Sequence, residues 1–484
     1  MKMKTCFFKS TGLFFDRGSF FIFLVGLFSS VPIFSQLPPA QQIASQMKIG
    51  WNMGNTLEAI CGETAWGGAY TTQRLIDSVK AAGFNTVRLP CAWDCHATNG
   101  VIDPAWLARV QKIVDYCIND DLYVILNIHW DGGWLENNVT TQAQVSVNAK
   151  QENYWTQIAN CFKDYDEHLL FAGANEPNVE NATQMSVLLS YHQTFINAVR
   201  ATGGNNTSRP LIIQGPSTDI DKTNQLMKKM PEDQIEDRLI VEIHYYTPYQ
   251  FTLMTEDAGW GKMFYYWGKG YHSKTDITRN ATWGEESDVE KYFGLMKTMF
   301  VDKGIPVIMG EYHAMKRKNL TGDNLALHIA SVEYWHKYVT ESAVRHGMIP
   351  YYWDINTGLF NRSTGAILDQ GILDAIMQGA EMGTTEISPV GTNSAVPDGF
   401  WLEQNYPNPF NPSTLIDYRL SARVFITLKV FDAHGKEVET LVNKCQNPGN
   451  YSVQFNALNL PNGVYFYRLD TGTYHHTKKL LLLK

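Results

Sequence analysis

Four common signatures are missing from this chain. Its seven cysteines include no paired C-x-x-C spacing, which argues against a structural zinc site. Its net charge is −8 and no basic run stands out, so a phosphate-tracking nucleic-acid binder is not indicated. No G-x-G-x-x-G follows the first apolar run, where the sequence reads WNMGNTLEA, so a dinucleotide fold would lack its phosphate cradle. Beyond residue 36 no apolar run approaches the ~20 residues that a membrane-spanning helix requires. No cofactor is implied by what remains.

Aromatic residues are plentiful, with 13 Trp, 24 Tyr and 24 Phe, and hydrophobic residues make up 44% of the chain. Such a composition supplies a large core, or a cleft that stacks flat rings such as sugars. The start of the chain has another character. Lys2, Lys4 and Lys9 precede SFFIFLVGLFSSVPIF, Ser19 to Phe34, and residues 1–36 read as a secretory signal. The stretch before the apolar run is long, contains Asp16, and is followed by no A-x-A site. Export permits disulfides among Cys61, Cys91, Cys95, Cys117, Cys161 and Cys445. Cys117 and Cys161 fall on apolar helix faces, so buried free thiols are equally well supported and the pairing stays open.

From Lys48 to Ala380 one rhythm repeats. An apolar run ends in polar residues and an amphipathic helix follows. The strand candidates are 49–54, 86–90, 123–130, 169–175, 211–215, 240–246, 306–311 and 349–354. In the helix over 103–119, Leu107, Val110, Val114 and Cys117 share a face, with Asp103 as cap and Pro104 in the first turn. Over 182–201, Met185, Leu188, Leu189, His192, Phe195, Ile196 and Val199 keep the helical stripe, and Asn181 stands at the cap. A third helix covers 325–346. Apolar strands alternating with helices imply a parallel sheet covered on its outer face, and eight such units suggest a (β/α)₈ barrel over 37–382. An open doubly wound sheet is the alternative.

After Ala380 the composition turns to Gly, Thr, Ser and Pro, and 383–399 reads as a linker. From Phe400 to Lys484 the period changes to two. Ile426, Leu428 and Val430 alternate with Thr427, Lys429 and Phe431, and DAHGK and LPNG supply turns. This predicts a small antiparallel β-sandwich over 400–484.

Functional groups of a barrel sit where its strands end at the C-terminal face. The proposed ends offer Arg88, Asn127 and His129, Asn175 and Glu176, His244 and Tyr246, Glu311, and Trp353 and Asp354. Glu176 follows the fourth strand and Glu311 the seventh, so their tips face each other across the mouth. Two converging carboxylates are what glycosidic cleavage needs, one protonated to assist the leaving oxygen and one ionised to attack. A two-histidine metal site lacks a third ligand at suitable spacing.

WNMGNTLEA, VRLP, NIHW, ANEP, EIHYYTP, IMGEYH and YYWD occur in this order, each at its own strand. Together they resemble the retaining β-glycanases of glycoside hydrolase family five, especially the endoglucanase-like subfamily four. The resemblance covers essentially the whole barrel segment. It implies Glu176 as general acid/base and Glu311 as nucleophile. It implies that Asn175 hydrogen-bonds the sugar 2-hydroxyl and that Arg88 keeps Glu311 ionised. His129, His244 and Tyr246 would line the subsite at the scissile bond, Tyr246 hydrogen-bonding the nucleophile, and Trp353 would form the platform under the same sugar. Pro177 would turn the chain sharply and hold Glu176 over the mouth. Glu311's charge is expected to raise the Glu176 pKa and keep it protonated.

The expected activity is endo-β-1,4-glucanase action on β-glucan polysaccharide. Xyloglucanase, mixed-linkage glucanase and β-mannanase are alternatives with the same pair, and a non-catalytic glycan-binding surface protein is the alternative from another class. Trp260, Trp267, Trp93 and Trp134 are candidates for stacking on glucosyl units. Asn52, Gly54 and Asn55 are read as cleft wall or barrel floor.

NYPNPFNPST, VFDAHGKEV, LPNGVYFYRL and TKKLLLLK, in the last segment, resemble the C-terminal sorting domain of the type nine secretion system. That implies outer-membrane secretion machinery as a partner. It also implies a secreted or cell-surface location, reached through the outer membrane of a Gram-negative bacterium. A carbohydrate-binding module is the alternative for this tail, against which stands the lack of a planar set of Trp. A monomer is expected.

Overall fold

A computed structural model describes residues 36–386 and, with short gaps, 401–484. The expected signal segment, but for Gln36, and the expected linker beyond residue 386 lie outside the described residues. The described residues fall into two compact units, one holding 36–386 and the other 401–484.

The first unit is a closed barrel of parallel strands. They are β1 (Gly50–Met53), β2 (Thr86–Leu89), β3 (Tyr123–Asn127), β4 (Leu169–Ala172), β5 (Leu211–Gln214), β6 (Leu239–Tyr245), β7 (Val307–Tyr312) and β8 (Met348–Asp354), each paired with its neighbours in sequence, and β8 with β1. The doubly wound alternative is thereby excluded. The strands are buried almost throughout, as a sheet covered on both faces requires. Ile125, Leu170, Ile212, Ile240 and Ile308 fill the interior with Ala40, Ile43 and Met47 from the short helix Ala40–Ala44 and the turn after it. The larger core lies between strands and surrounding helices.

The helices form where the apolar stripe and caps say they should. Asp103 accepts from the Ala105 amide at 2.8 Å, with Pro104 opening the helix Pro104–Asn119. Asn181 accepts from the Gln184 amide at 3.0 Å at the start of Ala182–Ala201. The third expected helix is Gly322–Arg345. The last helix of the unit, Gln370–Glu386, continues past the expected linker start. The six cysteines among the described residues are free thiols, with Cys117 buried and Cys161 half-buried.

Strand register positions the site. Asn52 on β1 pairs with Arg88 on β2 and Trp353 on β8, while His244 on β6 pairs with Glu311 on β7 past a local irregularity. Gly310 precedes Glu311 because nothing larger fits: a Cβ there would lie 2.0 Å from the Glu242 carboxylate.

The second unit consists of antiparallel strands β9 (Trp401–Leu402), β10 (Ser413–Leu420), β11 (Val424–Asp432), β12 (Glu437–Gln446), β13 (Gly449–Asn456), β14 (Gly463–Asp470) and β15 (His475–Leu482). They form one sheet in the order β9-β10-β13 and another in the order β12-β11-β14-β15. Ile416 and Phe455 of the first sheet share a core with Ile426, Leu428, Val430, Tyr467 and Leu469 of the second, the alternating positions that the period-two pattern marks.

Candidate active site

The expected residues converge at the C-terminal mouth of the barrel. Arg88 is fully buried at their centre and uses its planar fork in several directions. Its Nε lies 2.8 Å from Glu242, its Nη1 donates to Glu311 at 2.9 Å and to Asn52 Oδ1 at 3.0 Å, and its Nη2 donates to Asn175 Oδ1 at 2.8 Å. Tyr246 donates its hydroxyl to the other Glu311 oxygen at 2.9 Å. His244 lies between three carboxylates, with Nδ1 at 2.6 Å from Glu176 and 3.7 Å from Glu311, and Nε2 at 3.3 Å from Glu242. Glu176 is the open member of the group, its side chain 42% exposed against 7% for Glu311.

The turn after β4 is held from several sides. The Ala174 amide donates to Gln214 Oε1 at 3.0 Å, the Glu176 amide to Glu136 Oε1 at 2.7 Å, and the Ser217 amide to the Pro177 carbonyl at 2.8 Å. Ser217 and Thr218 both adopt positive φ, 52° and 47°, where this loop meets the turn. Uncommon backbone of this kind clusters at functional sites. Trp353 is half-buried, its ring parallel to that of His129 at 5.6 Å. Asn127 donates to His129 Nδ1 at 3.2 Å, which leaves Nε2 of a neutral ring as a donor. Burial, with Arg88 and His244 adding to it, holds His129 well below its usual range and keeps it neutral.

The electrostatics correct one expectation. Burial works against a charged His244, yet Glu311, Glu176 and Glu242 push its pKa up to about 10. Burial alone would raise Glu176, but the hydrogen bond and positive charge of His244 hold its carboxyl below the usual range. Glu176 is therefore lowered, where the sequence suggested that Glu311 would raise it. The reason is the imidazolium in direct contact, which with Arg88 outweighs burial and the neighbouring carboxylates. Glu311 moves the other way: burial raises it, although His244 and Arg88 both pull against that. Arg88 acts on Glu311 in the expected direction without winning the sum.

One atom each of Glu176, His244 and Glu311 lie within 4.8 Å of one another, a spacing that a divalent cation could also use. Here Arg88, Tyr246 and the His244 proton already occupy these oxygens, which suits proton chemistry. The aromatic expectations divide. Trp93 and Trp267 are fully buried, their indoles donating to the Asn127 and Gly284 carbonyls at 2.9 and 2.7 Å, so neither can stack on a ligand. Trp260 is 67% exposed and Trp134 is half-buried beneath the Lys150 ammonium. In the same loop Phe251, Phe264, Tyr265 and Tyr266 are buried, Phe251 and Phe264 as part of the barrel's main core.

Sequence reasoning missed two acidic residues. Glu242 precedes His244 by two on β6, so the strand's period puts both inside the barrel, where Glu242 also accepts from Gln214 at 2.7 Å. Glu136, on the loop after β3, touches Glu176 through its amide and had no sequence signal.

A barrel carrying two facing carboxylates beside an arginine and a histidine is the arrangement of a glycosidase, and comparison agrees. Residues 45–358 match Cellulase (glycosyl hydrolase family 5), and residues 404–483 match the secretion system C-terminal sorting domain. The chain is 36% identical over 361 residues to the xyloglucan-specific endo-β-1,4-glucanase BoGH5A of Bacteroides ovatus, covering 70% of each chain. A solved xyloglucan-specific β-1,4-glucanase from a ruminal metagenomic library, XEG5B in complex with XXLG, superposes with TM-score 0.66 at 42% identity, covering 72% of this chain and 97% of that one. A broad-specificity GH5-4 endoglucanase from Bacteroides salanitronis gives TM-score 0.63 at 35% identity, covering 72% and 96%. This chain belongs to glycosyl hydrolase family 5. It carries a C-terminal sorting domain of the type that directs type nine secretion. Among the described residues, no helix is long and apolar enough to cross a membrane.

Proposed function

We infer that this chain is a retaining endo-β-1,4-glucanase in which Glu311 is the nucleophile and Glu176 the acid and then the base. The observation that carries this reading is the approach of the two carboxylates, with oxygens within 4.8 Å of each other. Retaining pairs stand about 5–5.5 Å apart, whereas inverting pairs leave about 6.5–9.5 Å for a water.

Glu311 attacks the anomeric carbon while Arg88 and Tyr246 fix both its oxygens. The glycosidic bond breaks, and Glu176 gives a proton to the departing oxygen. That proton is drawn from the His244–Glu176 pair, which shares it over 2.6 Å. Sugar filling the mouth displaces water and disfavours the separated charges, so the proton moves from His244 Nδ1 to Glu176 Oε1. In the second half, Glu176 takes a proton from water, the hydroxide oxygen bonds to the anomeric carbon, and Glu311 leaves as carboxylate. Asn175 addresses the 2-hydroxyl, His129 donates to the same sugar, and Trp353 lies beneath it. Xyloglucan is the β-1,4-glucan favoured among substrates, because two of the relatives named above are xyloglucan-specific. The enzyme acts as a monomer, secreted or held at the surface of a Gram-negative bacterium.

Glu311→Gln is expected to lower kcat on β-glucan by at least ~10³-fold. Proton NMR of the first product released by the native enzyme should show the β-anomer. A first-formed α-anomer, or full polysaccharide breakdown by Glu311→Gln, would sink the assignment. A panel of cellulose derivatives, xyloglucan, lichenan and mannan then ranks the substrates.

A further inference from the structure

Glu136 is a buried carboxylate that the mechanism above leaves without a role. Its Oε1 accepts the backbone amide of Glu176 at 2.7 Å, and its own carbonyl accepts the Asn178 amide at 3.0 Å. Asn175, the residue before Glu176, is tied from the other side, its Oδ1 accepting from Arg88 Nη2 at 2.8 Å. Glu136 therefore holds the turn at two backbone amides, those of Glu176 and Asn178, on either side of Pro177. The next residue adds a further tie, Asn137 Oδ1 accepting from the Asn178 side chain at 2.8 Å.

We infer that Glu136 is a positioning residue for this reaction: its ionised carboxylate fixes the Asn175–Glu176 turn and, as a like charge, strengthens Glu176's hold on the proton it delivers. The inference rests on Glu176 being the acid/base. Burial pushes the Glu136 carboxyl up to about 7, while the Glu176 amide and Asn175 pull against that and the Glu176 and Glu311 charges add to it. Those two carboxylates are the charged groups that act on it most strongly. Coupling is reciprocal, so a charge on Glu136 raises the proton affinity of Glu176 by the same amount that Glu176 raises its own. An isolated structural anion would gain nothing from standing this close to a second carboxylate.

The test compares Glu136→Gln and Glu136→Ala on β-glucan and on dinitrophenyl β-cellobioside, whose leaving group departs without a proton. Glu136→Gln keeps an acceptor for the Glu176 amide and removes only the charge. It is expected to move the alkaline limb of kcat/KM on β-glucan to lower pH. Glu136→Ala, which releases the turn, should cost ~10–100-fold on β-glucan. Glu136→Gln should stay within about threefold of native kcat/KM on the aryl glycoside, where acid catalysis is not required, and Glu136→Ala should lose less there than on β-glucan. Equal losses on the two substrates with an unmoved alkaline limb, or no loss at all, would overturn the inference. Glu176→Ala run in parallel separates the failures. If it spares β-glucan hydrolysis, the acid/base assignment itself falls. If it abolishes hydrolysis while both Glu136 variants match the native enzyme, only the role of Glu136 falls.

Discussion

Replacing Arg88 by methionine tests the electrostatic centre of the site, because it keeps much of the stem and removes the charge. Arg88 contacts Glu242 and Glu311 at 2.8 and 2.9 Å with its side chain wholly buried. Removing one partner of a buried ion pair costs about 3–5 kcal/mol, since the other charge is left without compensation. At ~2.1 cal/mol/K of unfolding entropy per residue and roughly 350 residues in the barrel, ~4 kcal/mol lowers Tm by about 5 °C. The loss must depend on pH. Burial alone would raise the Glu242 carboxyl, but Arg88, with His244 and Gln214 adding to it, brings it below its usual range. In the native protein Glu242 therefore contributes stability above its unfolded pKa of ~4.3, lost as pH falls through the lower folded value. In the variant burial wins, and the buried carboxylates resist ionisation. Their penalty appears as pH rises above ~4.3 and is complete once pH exceeds their raised folded values. Melting followed by circular dichroism should thus show a gap between native and variant that is full at pH 7 and small at pH 4. An equal gap at both values would refute the reasoning.

His244 supplies the opposite sign. Its pKa is raised to about 10 in the fold, so its stabilisation is full below ~6.5 and is lost as pH rises through 10. His244→Gln should flatten the fall in Tm between pH 6.5 and 10, and a fall as steep as the native one would contradict the charge assignment. The two tryptophans of the long loop after β6 should part company. Trp267→Ala empties a buried site and should cost about 3–5 kcal/mol in denaturant unfolding. Trp260→Ala should leave stability within about 0.5 kcal/mol, while raising KM on β-glucan if this ring contacts the chain.

The barrel was legible because each strand is an apolar run with a polar end, and each helix carries its cap and stripe. The eight expected site residues could be found by inspecting those ends, and the fold brings all of them to one mouth. Glu242 escaped because the inspection stopped at strand tips, although period two along Glu242, His244 and Tyr246 marks the same face. Glu136 escaped for a deeper reason. It opens a three-residue 3₁₀ turn in the loop after β3, too short for any periodicity to mark its direction. Trp93 and Trp267 look like Trp260 in one dimension. Only the fold shows that their indole N–H groups have carbonyl partners, which is what allows complete burial. The pKa direction of Glu176 could not be read either, because it depends on a buried histidine that Glu311, Glu176 and Glu242 together keep charged.

The charges of the site suit the reaction when taken together. Arg88 and His244 carry two positive charges, and Glu242, Glu311 and Glu176 three negative ones, giving a net −1 in the free enzyme. An ionised Glu136 makes this −2. A site of that sign favours the positive charge that develops on the sugar ring in an oxocarbenium-like transition state. It also favours retaining the proton that the leaving oxygen needs. In the proposed mechanism, esterification of Glu311 removes a carboxylate that raises the His244 pKa, and His244, having given up its proton, stands as a neutral imidazole beside Glu176 in the second half-reaction. On that reading the same histidine serves both steps, as the proton's source in the first and its acceptor in the second. Glu242 makes this possible by keeping His244 charged from below, out of reach of the sugar.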